Sequence, residues 1–370
     1  MHFNPITRHR TLRYTAAGFV FVLAGLLTSC SSAPVRFGYV ATGQGVYAFR
    51  MNAKNGQASQ VLGSPFVAKT NPNSGAASAA AVVVHPSNGF LYVADQDINT
   101  ISLFKIDSST GALTEVTPRT VLSTSSGAVG LSPAVLAMDS AGKFLFVGNQ
   151  VTNDVWVFSI GSSGALTFVS SAQLAGPPSG LTLASSGDFL YVPVAQFSAV
   201  YAFSVSSGTL TQVGTPFVVS GGVGNLGVDP NGQFLYVPNP TTNTVTVLRI
   251  QSDGSLGFGS GAFATGTTPV AAATNATGAF VYVANFGQTN VSQFQLDTTT
   301  GQLVALTTAS AGTGTQPTGI VVDPDAKFIF VINQEARSVT EYTANSNGTL
   351  STTGNSVQLS VVPRSFSITK

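Results

Sequence analysis

The sequence predicts an all-β protein, a seven-bladed β-propeller, from repeated aromatic cores, their spacing and the turns between them. A four-residue apolar core recurs seven times, beginning at Phe37, Phe90, Phe144, Phe189, Phe234, Phe280 and Phe328. Successive cores are 53, 54, 45, 45, 46 and 48 residues apart, with no helical periodicity between them. Seven such cores predict one ring of blades rather than several unrelated domains.

Each repeat subdivides into four short strands, as residues 270–309 illustrate. Residues 270–274 and 280–284 form the first two strands, separated by a turn that ends in glycine. Residues 291–296 alternate apolar and polar side chains, as a half-buried third strand does, and the fourth strand lies near 303–307. Because an isolated blade would expose two apolar faces, we expect the blades to stack around a ring.

The two ends of the chain predict how this ring closes. The first repeat begins at its second strand with Phe37, and a surplus strand, Ser365–Thr369, follows the last repeat. Since a ring left open exposes unpaired strand edges, we expect the C-terminal strand to become the innermost strand of the first blade.

The N-terminus has the layout of an export signal. Arg8, Arg10 and Arg13 occur without an acid in the first 15 residues, and a twelve-residue apolar run, 16–27, follows. Twelve residues are too few for a permanent membrane helix, which needs about 20. The segment Leu27-Thr28-Ser29-Cys30 resembles the lipobox of bacterial lipoproteins, in which the cysteine is acylated; the alternative is an ordinary signal peptide with a chance cysteine.

The expected organisation is therefore a signal peptide at 1–29, a lipidated linker at 30–35 and a propeller at 36–370. Bacterial lipoproteins with a lipobox of this kind carry more than one acyl chain, and two or more chains anchor a protein stably in a membrane. The membrane is the expected partner through Cys30, and the expected location is the cell envelope, at the outer membrane, its periplasmic face or the cell surface. Ser31 stands where an aspartate often signals inner-membrane retention, which favours the outer membrane.

Composition excludes several function classes. Only 8% of residues are charged, against about 25% in typical proteins. Without the three arginines of the expected signal, 12 of the 15 basic residues remain against 14 acidic residues, a formal net charge of −2. Nucleic acid is excluded as a partner, because it requires a concentrated basic face. The single cysteine excludes a disulfide within the chain, and we expect a monomer without a cofactor.

Several repeats carry the residues of a known family. Tyr282-Val283-Ala284-Asn285 and Leu91-Tyr92-Val93-Ala94-Asp95 resemble the YVTN repeat of prokaryotic surface propellers. With the turns Asp229-Pro230-Asn231-Gly232 and Asp323-Pro324-Asp325 before the aromatic cores, residues 36–370 resemble the seven-bladed β-propeller lactonase family. That family includes 6-phosphogluconolactonases and muconate cycloisomerase-like propellers. The resemblance implies the fold more strongly than the activity, because one propeller supports many functions.

The catalytic pattern of that family is incomplete in this chain. Family enzymes typically show Pro-Arg-His entering an inner strand and Asn-Glu after a second strand, at the mouth of the central channel. Pro363-Arg364 matches the first motif, but Ser365 replaces its histidine, and no Asn-Glu pair follows a second strand. Glu335 lies one position after the place at which the Asn-Glu pair would have its glutamate, because Gln334 stands between it and Asn333. Arg364, Glu335 and Arg337 are the candidate catalytic residues, with arginine binding an anion and Glu335 activating water; the alternative is a local ion pair.

A second candidate site is a ring of polar residues at the ends of equivalent second strands. Its members are Asp95, Asn149, Asn239, Asn285 and Asn333. They would crowd one annulus and bind a polar ligand such as a sugar, or else satisfy backbone groups of the loops.

The sequence gives little support for a metal site or for catalysis by histidine. The segment 95–99 spaces three oxygen ligands as calcium loops do, but Thr100 and Ile106 replace the required glycine and glutamate, so we predict no metal site. His85 is the only histidine after the expected signal, in a turn opposite the channel mouth, which argues against a Ser-His-Asp arrangement.

Two functional hypotheses follow from the sequence. The first is a non-catalytic binding or scaffold propeller of the cell envelope that takes a small polar ligand, a glycan or a protein at the channel mouth. The second is a lactone hydrolase resembling 6-phosphogluconolactonase.

Overall fold

A computed structural model describes residues 35–68, 77–124, 127–323, 325 and 327–370, with the backbone alone at 307–310. The expected signal peptide and Cys30 lie outside these residues. Within the described ranges, no helix is long and apolar enough to cross a membrane.

The described chain consists almost entirely of short strands. In chain order they are β1 (Val35–Thr42), β2 (Gly45–Asn52), β3 (Ala58–Gln60), β4 (Ala79–Val84), β5 (Phe90–Asp95), β6 (Thr100–Ile106), β7 (Leu113–Val121), β8 (Pro133–Met138), β9 (Phe144–Asn149), β10 (Asp154–Ile160), β11 (Leu166–Gln173), β12 (Thr182–Leu183), β13 (Phe189–Val194), β14 (Ala199–Ser206) and β15 (Thr209–Gln212). They continue as β16 (Phe217–Val218), β17 (Gly227–Val228), β18 (Phe234–Asn239), β19 (Thr244–Ile250), β20 (Leu256–Ala264), β21 (Pro269–Thr274), β22 (Phe280–Asn285), β23 (Asn290–Leu296), β24 (Leu303–Gly312), β25 (Pro317–Val322), β26 (Phe328–Asn333), β27 (Ser338–Ala344), β28 (Leu350–Gln358) and β29 (Pro363–Ile368). A single 3-10 turn, Ala195–Phe197, precedes β14.

These strands form seven antiparallel sheets, which confirms the predicted seven-bladed propeller. Blade 1 has the order β29-β1-β2-β3, and blades 2, 3, 5, 6 and 7 are β4 to β7, β8 to β11, β17 to β20, β21 to β24 and β25 to β28. Blade 4 is β12 to β15, with β16 added against β14. The recurring aromatic cores are the second strands, in which consecutive side chains are buried on both faces, as with Leu91, Tyr92 and Val93.

The C-terminal strand closes the ring as predicted. In blade 1, β29 pairs antiparallel with β1, with Gly38 opposite Ile368 and Val40 opposite Phe366. The Phe37 amide donates to the Thr369 hydroxyl at 2.9 Å, and the Thr369 amide donates to the Phe37 carbonyl at 2.9 Å. The two ends of the propeller are therefore joined in one sheet.

The interface between blades 7 and 1, here called the closure seam, is also held by side chains. The rings of Phe330 and Phe366 lie 5.1 Å apart inside an apolar cluster drawn from both blades. Arg36 of β1 forms ion pairs with Asp323 and Asp325, in the turn between the first two strands of blade 7. The seam thus combines a backbone ladder, apolar packing and a charged contact.

A repeated contact joins neighbouring blades. The turn between the third and fourth strands ends in a glycine with φ between +74° and +84°, called the latch glycine: Gly56, Gly111, Gly164, Gly208, Gly254, Gly301 and Gly348. In six blades, a Cβ on this glycine would overlap the first phenylalanine of the preceding blade's aromatic core. In four of these contacts, the tyrosine two residues after that phenylalanine is buried, and its hydroxyl donates to the carbonyl of the latch glycine at 2.8–3.1 Å. These tyrosines are Tyr39, Tyr92, Tyr191 and Tyr282.

The contact varies in two blades, where a serine rather than a tyrosine donates to the carbonyl of the latch glycine, and at the closure seam. Phe146 of blade 3 has no hydroxyl, and Ser170 donates to the Gly208 carbonyl instead, at 2.8 Å. Ser260 likewise donates to the Gly301 carbonyl at 2.6 Å. At the closure seam, the Glu341 carboxylate, rather than a phenylalanine, lies against Gly56.

Prolines shorten two inner strands. The carbonyls of Pro193 and Pro238 accept hydrogen bonds from the Ser179 and Gly224 amides, each at 2.9 Å, so these positions face the first strand of their blades. Proline has no N–H to donate in return. As a result β12 and β17 are two residues long, against six in the other blades.

We expect removal of residues 364–370 to destabilise the whole ring. The deletion takes away most of β29 and the Phe366 side chain from the seam, leaving β1 as an unpaired edge. Thermal unfolding followed by circular dichroism should show a loss of more than about 10 °C in Tm, or no cooperative transition. Deleting Lys370 alone is the control, and a 364–370 deletion that melts cooperatively near the full-length Tm would refute the closure argument.

Candidate functional site: the central channel

The inner strands of all seven blades surround a cavity of about 250 Å³ on the propeller axis. Its walls are mostly small or apolar, including Ala80, Ala134 and Leu226. Among the described residues that line it, Arg364 is the charged side chain, and none is histidine, aspartate or glutamate. This channel can hold a small molecule, and the arginine gives it a preference for anions.

Five inner strands contain a bulge near their first residue. One residue is left out of the pairing register at equivalent positions of blades 2, 3, 6, 7 and 1: Ala80, Ala134, Val270, Thr318 and Arg364. A bulge redirects the extra side chain. Arg364 is therefore placed near the channel by the closing strand β29, at a position that carries small or β-branched residues in the other four blades.

Arg364 is oriented by a neighbouring blade. Its Nη1 donates to the Ser78 hydroxyl at 2.7 Å, and the Ser78 amide donates to Asp97 Oδ1 at 2.9 Å. The guanidinium remains exposed, and no ion pair joins it to a carboxylate of the described chain. Its remaining N–H groups are free to bind a carboxylate or phosphate in bidentate geometry.

A second cavity of about 440 Å³ lies at one end of the channel. It shares Asn225 and Thr318 with the channel cavity. Phe286, which follows the end of the second strand β22, is part of its lining. The channel mouth is thus at the end where the second strands finish, and its wall combines Val223, Val270 and Phe286 with a few polar groups.

The predicted catalytic trio is not assembled in one place. Glu335 and Arg337 are exposed residues of the turn before β27, and neither lines the channel cavity or its mouth. Arg337 Nη1 donates to the Ser360 carbonyl at 3.2 Å. Within the described ranges, no ion pair links Glu335 to Arg337 or Arg364, so the structure brings Arg364 alone to the channel.

The five residues of the predicted polar ring are all buried inside their blades. Asp95, Asn149, Asn239, Asn285 and Asn333 bond mainly to side chains at the start of the third strand. Asn285 Nδ2, for example, donates to Asn290 Oδ1 at 2.7 Å and to the Ser292 hydroxyl at 2.9 Å. None of the five lines the channel or its mouth, so their contacts brace the loops around the mouth.

The acidic member of this ring differs from its amide counterparts. Burial raises the pKa of Asp95 to about 6, while hydrogen bonds from Ser102 and Thr100, at 2.5 and 3.2 Å, act in the opposite direction. Ionisation of Asp95 therefore opposes folding.

His85 and the segment 95–99 have structural contacts. His85 bonds to Ser87 at 2.7 Å and to the Gly142 carbonyl at 3.0 Å, linking blades 2 and 3 away from the channel. The Asn99 side chain accepts from the Ser132 amide at 2.7 Å. No group of three or more His, Cys, Asp or Glu side chains among the described residues is arranged to hold a metal ion.

Sequence reasoning did not identify Asn225 and Thr318 as channel residues. Asn225 precedes the shortened strand β17, and its backbone pairs in parallel with blade 6, donating to the Val270 carbonyl at 2.7 Å. Alignment of the repeats would have marked Thr318, which occupies the same bulge as Arg364.

The fold is a seven-bladed propeller with a cavity on its axis, between the inner strands of all seven blades. Segments 36–126, 117–224 and 220–314 match the family described as lactonase, 7-bladed β-propeller. The chain belongs to that family. No curated protein matches the sequence.

Solved structures of the same fold come from several bacteria. A proposed 6-phosphogluconolactonase from Bacteroides fragilis superposes with a TM-score of 0.75 at 18% identity, over 92% of this chain and 99% of that one. A Lactobacillus plantarum protein gives 0.75 at 20% identity, over 91% and 99%. The periplasmic gluconolactonase of Pseudomonas aeruginosa gives 0.74 at 18% identity, also over 91% and 99%. At these identities the likeness concerns the fold.

We expect Asp95→Asn to stabilise the protein at pH 8 but not at pH 4. The folded pKa of Asp95 lies above its ordinary value of 3.8, so stability falls as the pH rises from about 4 to 6, and the deficit is complete above that range. Urea unfolding should show a gain of about 1–3 kcal/mol at pH 8. The reciprocal variant Asn285→Asp should lose more stability at pH 8 than at pH 4. Equal effects at both pH values would contradict this account.

Proposed function

We propose that this protein is an exported, lipid-anchored propeller that binds a small polar molecule bearing a carboxylate, such as a sugar acid, in its central channel. The observation that carries the proposal is Arg364, the charged side chain among the described residues lining the channel cavity. A guanidinium in a site with apolar walls binds a carboxylate through paired hydrogen bonds.

Binding rather than hydrolysis is supported by the groups beside Arg364. Hydrolysis of a lactone needs a base to activate water, and the residue after Arg364 is Ser365 rather than histidine. The Ser365 hydroxyl accepts from the Val82 amide at 3.4 Å. Glu335, the nearest acid in sequence to the family pattern, is exposed and away from the channel lining.

Lactone hydrolysis is the second candidate function. Membership of the lactonase family and the retained Pro363-Arg364 pair favour it. In this alternative, Arg364 would bind the substrate, and Glu335 and Arg337 would have to approach the mouth from their loop.

Location in the cell envelope is supported by the N-terminal pattern of three arginines, a twelve-residue apolar run and Cys30. One protein of the same fold, from Pseudomonas aeruginosa, is a periplasmic gluconolactonase. The membrane would be the partner through Cys30, with the propeller as a monomer presenting the channel to small solutes of the envelope.

Arg364→Ala should weaken ligand binding without unfolding the protein. We expect gluconate to bind the purified full-length chain in isothermal titration calorimetry, and Arg364→Ala to weaken it by at least tenfold because the paired hydrogen bonds are lost. Arg50→Ala, which removes an exposed arginine from β2, is the matched control and should bind as the wild type does.

The same samples are assayed against a panel of sugar and aliphatic lactones. Turnover that Arg364→Ala abolishes would establish the lactonase and overturn the binding proposal. Absence of both turnover and gluconate binding would overturn the assignment of the ligand class.

Lipidation at Cys30 is tested independently. Expressed in a bacterium that processes lipoproteins, the chain should fractionate with membranes, and mass spectrometry should find a mature N-terminal peptide that begins at an acylated Cys30. Cys30→Ser should release the protein from the membrane fraction. A mature N-terminus elsewhere, or an unmodified Cys30 peptide, would support an ordinary signal peptide.

A further inference from the structure

A buried carboxylate occupies an unusual position at the closure seam. The third-strand residue paired with the central aromatic residue of each core is apolar in five blades: Ala48, Leu103, Val157, Ala202 and Val247. The corresponding residues are Gln293 in blade 6 and Glu341 in blade 7. A polar side chain at this depth requires partners.

Gln293 has such a partner in the next blade. Its Oε1 accepts from the Leu350 amide at 2.6 Å, two residues after the latch glycine of blade 7. Glu341 points toward the equivalent place in blade 1, where its carboxylate lies against Gly56. Both side chains therefore extend to the turn of the next blade that contains the latch glycine, but only Gln293 meets a hydrogen-bond donor there.

No hydrogen bond of good geometry reaches either carboxylate oxygen of Glu341 within the described chain, although the residue is only 3% exposed and the polar side chains of Asn355 and Thr353 lie near it. The Asn355 amide donates to the Asn55 carbonyl at 2.9 Å, and the Thr353 hydroxyl donates to the main-chain carbonyl of Glu341 at 3.2 Å. Burial raises the pKa of Glu341 to about 7, which nearby Asn355, Thr353 and Lys327 offset only in part. The site lacks a cation close enough to compensate the carboxylate.

Lys327, the one basic group acting on Glu341, is engaged elsewhere. Its Nζ donates to the Lys54 carbonyl at 2.7 Å and to the Ala53 carbonyl at 3.3 Å, and it lies 4.9 Å from the centre of the Phe328 ring. Within the described ranges, no ion pair joins Lys327 to Glu341.

A cavity of about 230 Å³ adjoins this carboxylate. Gln57, Asn355 and Ser356 contribute polar groups to its wall, together with Glu341. The rest is largely apolar, formed by Met51, Ala58, Phe330, Val339 and Val357. A cavity of this size is several times the volume of one water molecule, about 30 Å³, so it accommodates a ligand of a few heavy atoms.

We propose that this cavity binds a small organic ammonium ion, with the ammonium group on Glu341 and the alkyl group against the apolar wall. The side-chain amide oxygens of Gln57 and Asn355 can accept the remaining N–H bonds, whereas the Ser356 hydroxyl already accepts from Gln358 Nε2 at 3.1 Å. Phe330 contributes an aromatic ring to the wall, and aromatic rings attract organic cations. A divalent metal fits less well, because it prefers several carboxylate ligands, whereas one carboxylate lines this cavity.

The site is distinct from the central channel and shares no lining residue with it. Its occupant would connect β27 and β28 of blade 7 with β2 and β3 of blade 1. Binding requires the ionised carboxylate, so affinity should be higher at pH 8.5 than at pH 5.5.

The test uses n-butylammonium and the methionine methyl groups of the purified full-length chain. The sequence contains three methionines; Met51 lines the cavity, and Met138 lies in β8 of blade 3. With ¹³C-labelled methionine methyl groups, titration at pH 8.5 should shift the Met51 resonance, assigned by Met51→Leu, and leave Met138 unchanged. At pH 5.5 the affinity should fall by at least tenfold.

Glu341→Gln should also weaken binding by at least tenfold, whereas Asp188→Asn, which removes an exposed carboxylate in blade 4, should not. Should Glu341→Gln not fold, the pH dependence in the wild type decides the question. No shift of Met51 at 10 mM ligand, equal affinity for n-butanol, or equal binding at both pH values would overturn the proposal. A Glu341-dependent response to calcium chloride in place of n-butylammonium would overturn the ligand class.

Discussion

The ring depends on the contact between the aromatic core of one blade and the latch glycine of the next. A positive φ and the absence of a Cβ let the turn close over a phenylalanine, and where a tyrosine follows, its buried hydroxyl finds a carbonyl in the neighbouring blade. Because the contact crosses from blade to blade, no blade buries its own aromatic residues completely. Stability is therefore a property of neighbouring pairs of blades, and of the ring that they complete.

Inner strands have a partner on one side only, and their other edge faces the axis. Hydroxyl side chains cover part of that edge across blade boundaries. The Val84 amide donates to the Ser367 hydroxyl at 3.0 Å, and the Thr274 hydroxyl donates to the Val228 carbonyl at 2.9 Å. Since these polar groups of the wall are occupied in this way, the N–H groups of Arg364 that remain after its hydrogen bond to Ser78 are the main polar feature that the channel offers a solute.

The architecture could be predicted from the sequence because its signals are local and repeated. Seven aromatic cores fixed the number of blades, and the mismatch between a first repeat lacking its inner strand and a surplus strand at 365–369 fixed the closure. Both inferences rest on strand periodicity and edge pairing, which do not depend on side-chain orientation in loops.

The site was harder to predict because loop geometry decides it. Asp95, Asn285 and their equivalents end the second strands, but whether such side chains face the channel or the next strand depends on Ser and Thr residues seven positions later. Glu335 and Arg337 follow a second strand closely, yet their turn leaves both exposed. Glu341 departs from the apolar residues of five other blades, so comparing the repeats position by position would have revealed it.

Closure by the last strand also sets an order of events. The Phe37 amide and the Thr369 hydroxyl that it contacts are 332 positions apart, so blade 1 lacks its inner strand until almost the whole chain has been released. In a chain that emerges from its N-terminus, from a ribosome or through a membrane, β1 can pair with β2 at once, but its other edge stays unpaired until β29 has emerged. Blades that form early therefore belong to an open arc, which exposes an apolar blade face at each end and the unpaired edge of β1. Only the final residues close that arc into a ring and cover these surfaces.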